Sequence, residues 1–140
     1  MFARAFCVDD HSVVTEERQK RIREAFAALD SGDAGPFEDL LAPEAEWVAI
    51  PQGEISETAA CPNRAAIVER LERVHRRGRR FQVGKMIEAR DRVAVEVTLL
   101  SPEWSAPVTL YRVFAFGGDD VVVRLNDCVD ESYALQVLVS

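Results

Sequence analysis

From Phe81 onward the chain reads as strands joined by short turns, and this pattern leaves few folds open. Phe81 to Ala89, Arg92 to Leu100 and Val108 to Phe116 are strand-like runs, and a fourth, Val121 to Asp130, follows the turn Gly117-Gly118-Asp119-Asp120. The connections Arg90-Asp91, Ser101 to Pro107 and Gly117 to Asp120 carry the Gly, Pro and Asp residues that close hairpins. The expected product is an antiparallel meander. Alternation along the last run places Val121, Val123, Leu125, Asp127 and Val129 on one face. That face is apolar except for Asp127, and a carboxylate there costs free energy unless it is paired, solvated or protonated.

Upstream of Phe81 the apolar period changes from two to about 3.6. Residues 1–14 are expected as a loose arm and 15–140 as a single domain. Thr15 opens a helix, with Glu16 and Glu17 suited to its first turn. Ile22, Ala25, Phe26 and Leu29 form an apolar stripe at helical spacing, and Ser31-Gly32-Asp33-Ala34-Gly35-Pro36 stops it. A short second helix, Phe37 to Leu41, ends at Pro43. Glu46 to Ile50 reads as a strand, and 52–63 as a loop. Asn63 then caps a third helix over about 64–77, with Ala66, Ile67, Leu71 and Val74 inward and Gly78 at its end. Helices first and a hairpin-linked sheet afterwards define an α+β fold. A curved antiparallel sheet wrapped around the long N-terminal helix would form a cone with an open mouth.

Composition narrows the functions. A chain of 140 residues suits one domain and buries roughly two-thirds of its extended-chain surface on folding. The net charge of -7 supplies no overall positive field for nucleic acid. The cluster Arg70, Arg73, His75, Arg76, Arg77, Arg79 and Arg80 runs against that balance, but it falls at a helix end, where cations complement the dipole. Cys7, Cys61 and Cys128 are widely spaced, with no ligand pattern for a metal and no framework of bridges. The first residues are too short and too soon acidic for a signal peptide, and no run has the length of a membrane span. The expectation is a cytoplasmic protein that uses no metal or cofactor and engages neither nucleic acid nor membrane. His11 and His75 are poorly placed for His-based catalysis.

Two segments carry a family resemblance: Ala27-Ala28-Leu29-Asp30-Ser31-Gly32-Asp33, and Leu40-Leu41-Ala42-Pro43-Glu44-Ala45-Glu46-Trp47. With the last run, Val123 to Asp130, they resemble the nuclear transport factor 2-like superfamily, in its SnoaL-like and ketosteroid-isomerase-like branch. The resemblance extends from about Thr15 to Tyr133. It implies the cystatin-like cone, a pocket for a hydrophobic polyketide- or steroid-like ligand, and a homodimer formed through the outer sheet face. It does not select one chemistry, since the fold hosts isomerases, cyclases, hydrolases and non-catalytic modules. The three groups that ketosteroid isomerases use align with Ala25, Ile50 and Arg112, so the phenol and both acids are missing and ordinary ketosteroid isomerisation is excluded. Middle-strand positions where limonene-epoxide-hydrolase-like members carry an Arg and an Asp are Val97 and Leu99, although Asp127 is similar to their last-strand acid. A SnoaL-like cyclase asks least, a single pocket Asp, which Asp127 would supply.

The residues themselves single out one pair. Val108, Leu110, Arg112, Phe114 and Phe116 share a face, and pairing across Gly118-Asp119 sets Arg112 diagonal to Asp127. Two readings of the pair stand. In one, Arg112 holds a carboxylate or enolate oxygen and Asp127 moves a proton, in a cavity lined by Phe26, Ile50, Val97, Leu110, Phe114, Leu125 and Val129. In the other the pair is a salt bridge that satisfies two core charges. Function stays open in the same way, between a cofactor-free isomerase, cyclase or hydrolase and a non-catalytic ligand-binding or dimerisation module. The opposite face, with Ala94, Glu96, Thr98, Thr109, Tyr111, Val113, Arg124 and Asn126, suits a second copy, and Glu96 could pair there with Arg124. Trp47 is expected to pack under a helix, Cys61 to be accessible on a loop, and Tyr133 to close the mouth.

Overall fold

A computed structural model describes the backbone of residues 2–48 and 60–140 and the side chains of 16–48 and 60–140. The elements are α1 (Phe2–Asp30), α2 (Gly35–Leu40), β1 (Leu41–Val48), α3 (Arg64–Arg76), β2 (Arg80–Ala89), β3 (Arg92–Leu100), β4 (Val108–Phe116), β5 (Val122–Cys128) and α4 (Glu131–Val139). The strands form one sheet in the order β1-β5-β4-β3-β2. β2 to β5 are the expected antiparallel meander, and β1 joins β5 in parallel. As an edge strand, β1 can hold Pro43, which lacks a backbone donor.

Helix α1 begins before Thr15, so the backbone expected as a loose arm is helical instead; no Gly or Pro interrupts residues 2–14. Its stripe Ile22, Ala25, Phe26 and Leu29 is fully buried against the concave face of the sheet. The helix ends at Gly32, at φ 91°. Gly32 N–H donates to the Leu29 carbonyl and Asp33 N–H to the Ala28 carbonyl, each at 2.9 Å, the two bonds of a Schellman stop. Helix α3 repeats the device with Gly78 at φ 84°, and at its start Asn63 accepts from Ala66 N–H at 2.9 Å.

Four aromatic rings fill the space between α1, α2 and the sheet. Phe26 lies edge-on to Phe37 (5.3 Å), Phe81 (5.7 Å) and Phe114 (6.2 Å). Ile22, Leu29, Leu40, Ile67, Val97, Leu110 and Leu125 close around them.

The sequence carried no reading of a C-terminal helix. Asp130 caps α4, its carboxylate accepting from Tyr133 N–H at 2.9 Å. Helix α4 lays Ala134 and Leu138 over the outer sheet face, where they pack with Ala94, Tyr111, Val113 and Cys128. Part of the face expected to pair with a second copy is thus covered from within the chain, and Tyr133 is exposed. The expected Glu96–Arg124 pair does not form. Glu96 accepts from the Tyr111 hydroxyl, and Arg124 donates to Asn126.

A polar latch fixes α4. Lys85 pairs with Glu131, and the Tyr111 hydroxyl donates to Glu131 at 3.1 Å and to Glu96 at 3.3 Å. Hydrogen bonding from Lys85, then from Tyr111, holds the Glu131 carboxyl below its ordinary value of 4.5. Lys85 is raised above 10.5, first by its bond to Glu131, and Tyr111 above 10.0, first by burial. A carboxylate lowered on folding stabilises above its unfolded value and loses that contribution as pH falls through the folded one. Lys85 and Tyr111, both raised, stabilise below their unfolded values and lose it as pH rises through the folded ones. The melting-temperature gap between wild type and Glu131→Gln should therefore be widest near neutrality and close as pH drops below 4.5. A gap that stays constant from pH 7 down to about pH 3 would show that the latch does not titrate.

Candidate functional site

Arg112 and Asp127 face each other directly across β4 and β5. The sequence places them diagonally, with Leu110 opposite Asp127. The difference comes from the connection. Five residues, Gly117 to Val121, link Phe116 to its partner Val122, and a bulge follows between Ala115 and Phe116. Asp120 takes φ 59°, a left-handed conformation Asp tolerates better than most residues, and Arg18 and Arg21 of α1 clamp its carboxylate at 2.8 and 3.2 Å. The total offset is even, so both residues stay on the inner face. The bulge also turns Val122 into the buried residue, in place of Val121 and Val123.

The pair is inside the protein, Arg112 at 2% exposure and Asp127 at 7%. Arg112 Nε donates to Asp127 Oδ1 at 2.7 Å and Nη2 to Oδ2 at 3.3 Å. This two-bond edge is the strong form of an Arg–carboxylate contact, and it leaves Nη1 pointing elsewhere. Trp47, 4% exposed, stands on β1 beside Leu125. The Arg112 guanidinium lies 4.6 Å from the centre of its ring, and the Arg70 guanidinium of α3 lies 4.7 Å away. Among the described residues no acceptor reaches Arg112 Nη1 or Trp47 Nε1. A buried donor left without a partner costs about 1–3 kcal/mol, so both are costly unless something with acceptor oxygens enters.

The other expected lining residues divide. Phe26, Val97, Leu110, Phe114 and Leu125 are all buried in the interior cluster. Val129 is a correction: it follows the end of β5 and is 57% exposed, so it lines no interior surface. Ile50 lies outside the described residues. Ala25, where a ketosteroid isomerase places its phenol, is a buried apolar contact. Trp47 packs under α3 as expected, but its role beside the pair was missed. No local feature of the sequence marks that role, which comes from the pairing of β1 with β5.

The basic cluster also divides. Arg70 is buried against Trp47 rather than solvated. The Arg79 guanidinium lies 5.0 Å over Trp104, beside a surface depression of about 190 Å³ between Gly78 and the loop Leu100 to Pro107. His75 approaches the Asp30 carbonyl at 3.3 Å. Cys61, expected to be accessible, is buried and exchanges both backbone hydrogen bonds with Trp47 at 2.9 Å. Burial pushes the Cys128 thiol up to about 11, which leaves it a poor nucleophile at neutral pH. Among the described residues no three His, Cys, Asp or Glu side chains gather as a metal ion requires, and no helix is long and apolar enough to cross a membrane.

A curved, unclosed sheet folded over helices is the cystatin-like fold of the nuclear transport factor 2-like class. The chain belongs to the SnoaL-like domain family, whose model matches residues 22–127. Solved structures agree on the fold. Bal32a, from a soil-derived mobile gene cassette, superposes with a TM-score of 0.72 at 19% identity, over 89% of this chain and 98% of its own. TerC, crystallised with polyporic acid, gives 0.66 at 23% identity, over 87% and 97%. SalBIII, an epoxide hydrolase/cyclase-like enzyme of pyran ring formation in the polyether salinomycin, gives 0.66 at 13% identity, over 84% and 94%. No curated protein matches the sequence.

Proposed function

We propose that this protein binds a hydrophobic polyketide- or steroid-like molecule at the inner face of its sheet and acts on it without a cofactor, as an isomerase, cyclase or hydrolase. The observation that carries the reading is the Arg112–Asp127 pair: a salt bridge serving stability alone has no need of a guanidinium with one buried N–H unmatched. Arg112 would steady a developing negative charge on a substrate oxygen, and Asp127 would accept a proton from the substrate. The solved relatives lend support at the level of ligand class. One was crystallised with polyporic acid and another acts in polyether ring formation. A binding module is the second reading, favoured by the aromatic cluster that fills the interior around Phe26 and Phe114. A homodimer is part of the proposal, formed on the outer sheet surface beyond α4, around Thr98 and Thr109.

The test is a panel of polycyclic β-dicarbonyl and epoxide compounds, with binding followed by thermal shift and conversion by mass spectrometry. Turnover by wild type that is lost in Asp127→Asn, with the fold retained by circular dichroism, is the expected result. Binding without conversion across the panel would establish the module instead. Light scattering at micromolar concentration reads the oligomeric state, and a monomer would remove the dimer.

A further inference from the structure

The two unmatched donors belong to side chains that stack on one another. Trp47 Nε1 is carried by the ring over which the Arg112 guanidinium lies at 4.6 Å, and Arg112 Nη1 is the nitrogen left over once Nε and Nη2 have engaged Asp127. Both atoms are buried and neither has an acceptor among the described residues. Trp47 and Asp127 are each one residue from the end of the parallel strands β1 and β5. Both unmatched atoms are donors, and the Asp127 carboxylate beside them is already engaged by Arg112, so they suit an oxygen that carries no proton. A hydroxyl oxygen would bring a hydrogen of its own that needs a partner, whereas an ionised oxygen accepts from both N–H groups. Two cations near the indole further polarise its N–H and make it a better donor.

We infer that Trp47 and Arg112 form a two-donor cradle for an anionic oxygen, so that the ligand is an acidic planar molecule bound as its enolate or carboxylate. The inference rests on the small-molecule reading above and narrows it: Trp47 is a binding residue and the ligand's ionisation is a condition of affinity. Arg112, already tied to Asp127, supplies one hydrogen bond and the positive charge. Trp47 supplies the second bond.

Two matched pairs of probes test this on the full chain: 2-hydroxy-1,4-naphthoquinone against its methyl ether, and 2-naphthoate against 2-naphthamide. Affinity is read by calorimetry at pH 7. The expected result is that at least one anion binds roughly tenfold or more tightly than its neutral partner, the size of one charge-assisted hydrogen bond. Which pair shows the preference distinguishes an enolate from a carboxylate. Trp47→Phe, which keeps a ring but removes the N–H, should reduce that preference roughly tenfold. Equal binding of anion and neutral partner would overturn the cradle and leave the pocket standing. If none of the four binds, the small-molecule site itself falls. A preference that survives Trp47→Phe intact would remove Trp47 from the cradle. Should that variant not fold, the anion-against-neutral comparison in wild type decides the matter by itself.

Discussion

Asp127→Ala should destabilise the protein by about 3–5 kcal/mol, the usual cost of stranding one member of a buried ion pair. Arg112 is 2% exposed and both bonds that neutralise it go to this carboxylate. Truncation leaves a charge in a low-dielectric interior with nothing to answer it. For a chain of this length the loss corresponds to a fall in melting temperature on the order of 10 °C. The double variant Arg112→Met/Asp127→Leu should recover most of the loss, since apolar groups of similar size often replace a buried pair at no cost. Urea denaturation of the wild type, the single and the double variant measures both effects. A single variant within about 1 kcal/mol of wild type would mean that the guanidinium reaches water, and that the pair is a surface feature.

Phe114→Ala should cost about 3–5 kcal/mol for a different reason. Its ring stands at the centre of the interior, edge-on to Phe26 at 6.2 Å and tilted against Phe37 at 6.2 Å. Removing it opens a void that α1, α2 and the sheet all border. Unlike Asp127→Ala, this loss should not be recovered by any change at Arg112, because the two sites act through packing and through charge. Denaturant titration reads the cost. If the loss is under about 1.5 kcal/mol, the helices have closed into the gap and the core is more adaptable than its interlocking rings suggest.

Much of the site could be read in the chain. Arg112 and Asp127 stand out as single polar members of apolar rows, and alternation alone puts them on one face. Their direct opposition could not be read, because it depends on two irregularities, a five-residue connection and a bulge, whose combined offset is set in three dimensions. Trp47 reads as an ordinary core aromatic. What makes it part of the site is parallel pairing of β1 with β5, a contact between residues far apart in sequence. Val129 continues the apolar alternation, yet the strand ends at Cys128 and Asp130 turns the chain into α4, so the pattern outlasts the element that would give it meaning.

The sequence by itself determined the order of elements as far as β5, the two glycine-stopped helices, the meander and the shared face of Arg112 and Asp127, since each rests on local period, caps and turns that act within a few residues. Tertiary structure alone decided the exact register of that pair, the covering of the outer face by α4 and the company that Trp47 keeps. Those depend on which surfaces meet when distant segments pack, and no local pattern carries that choice.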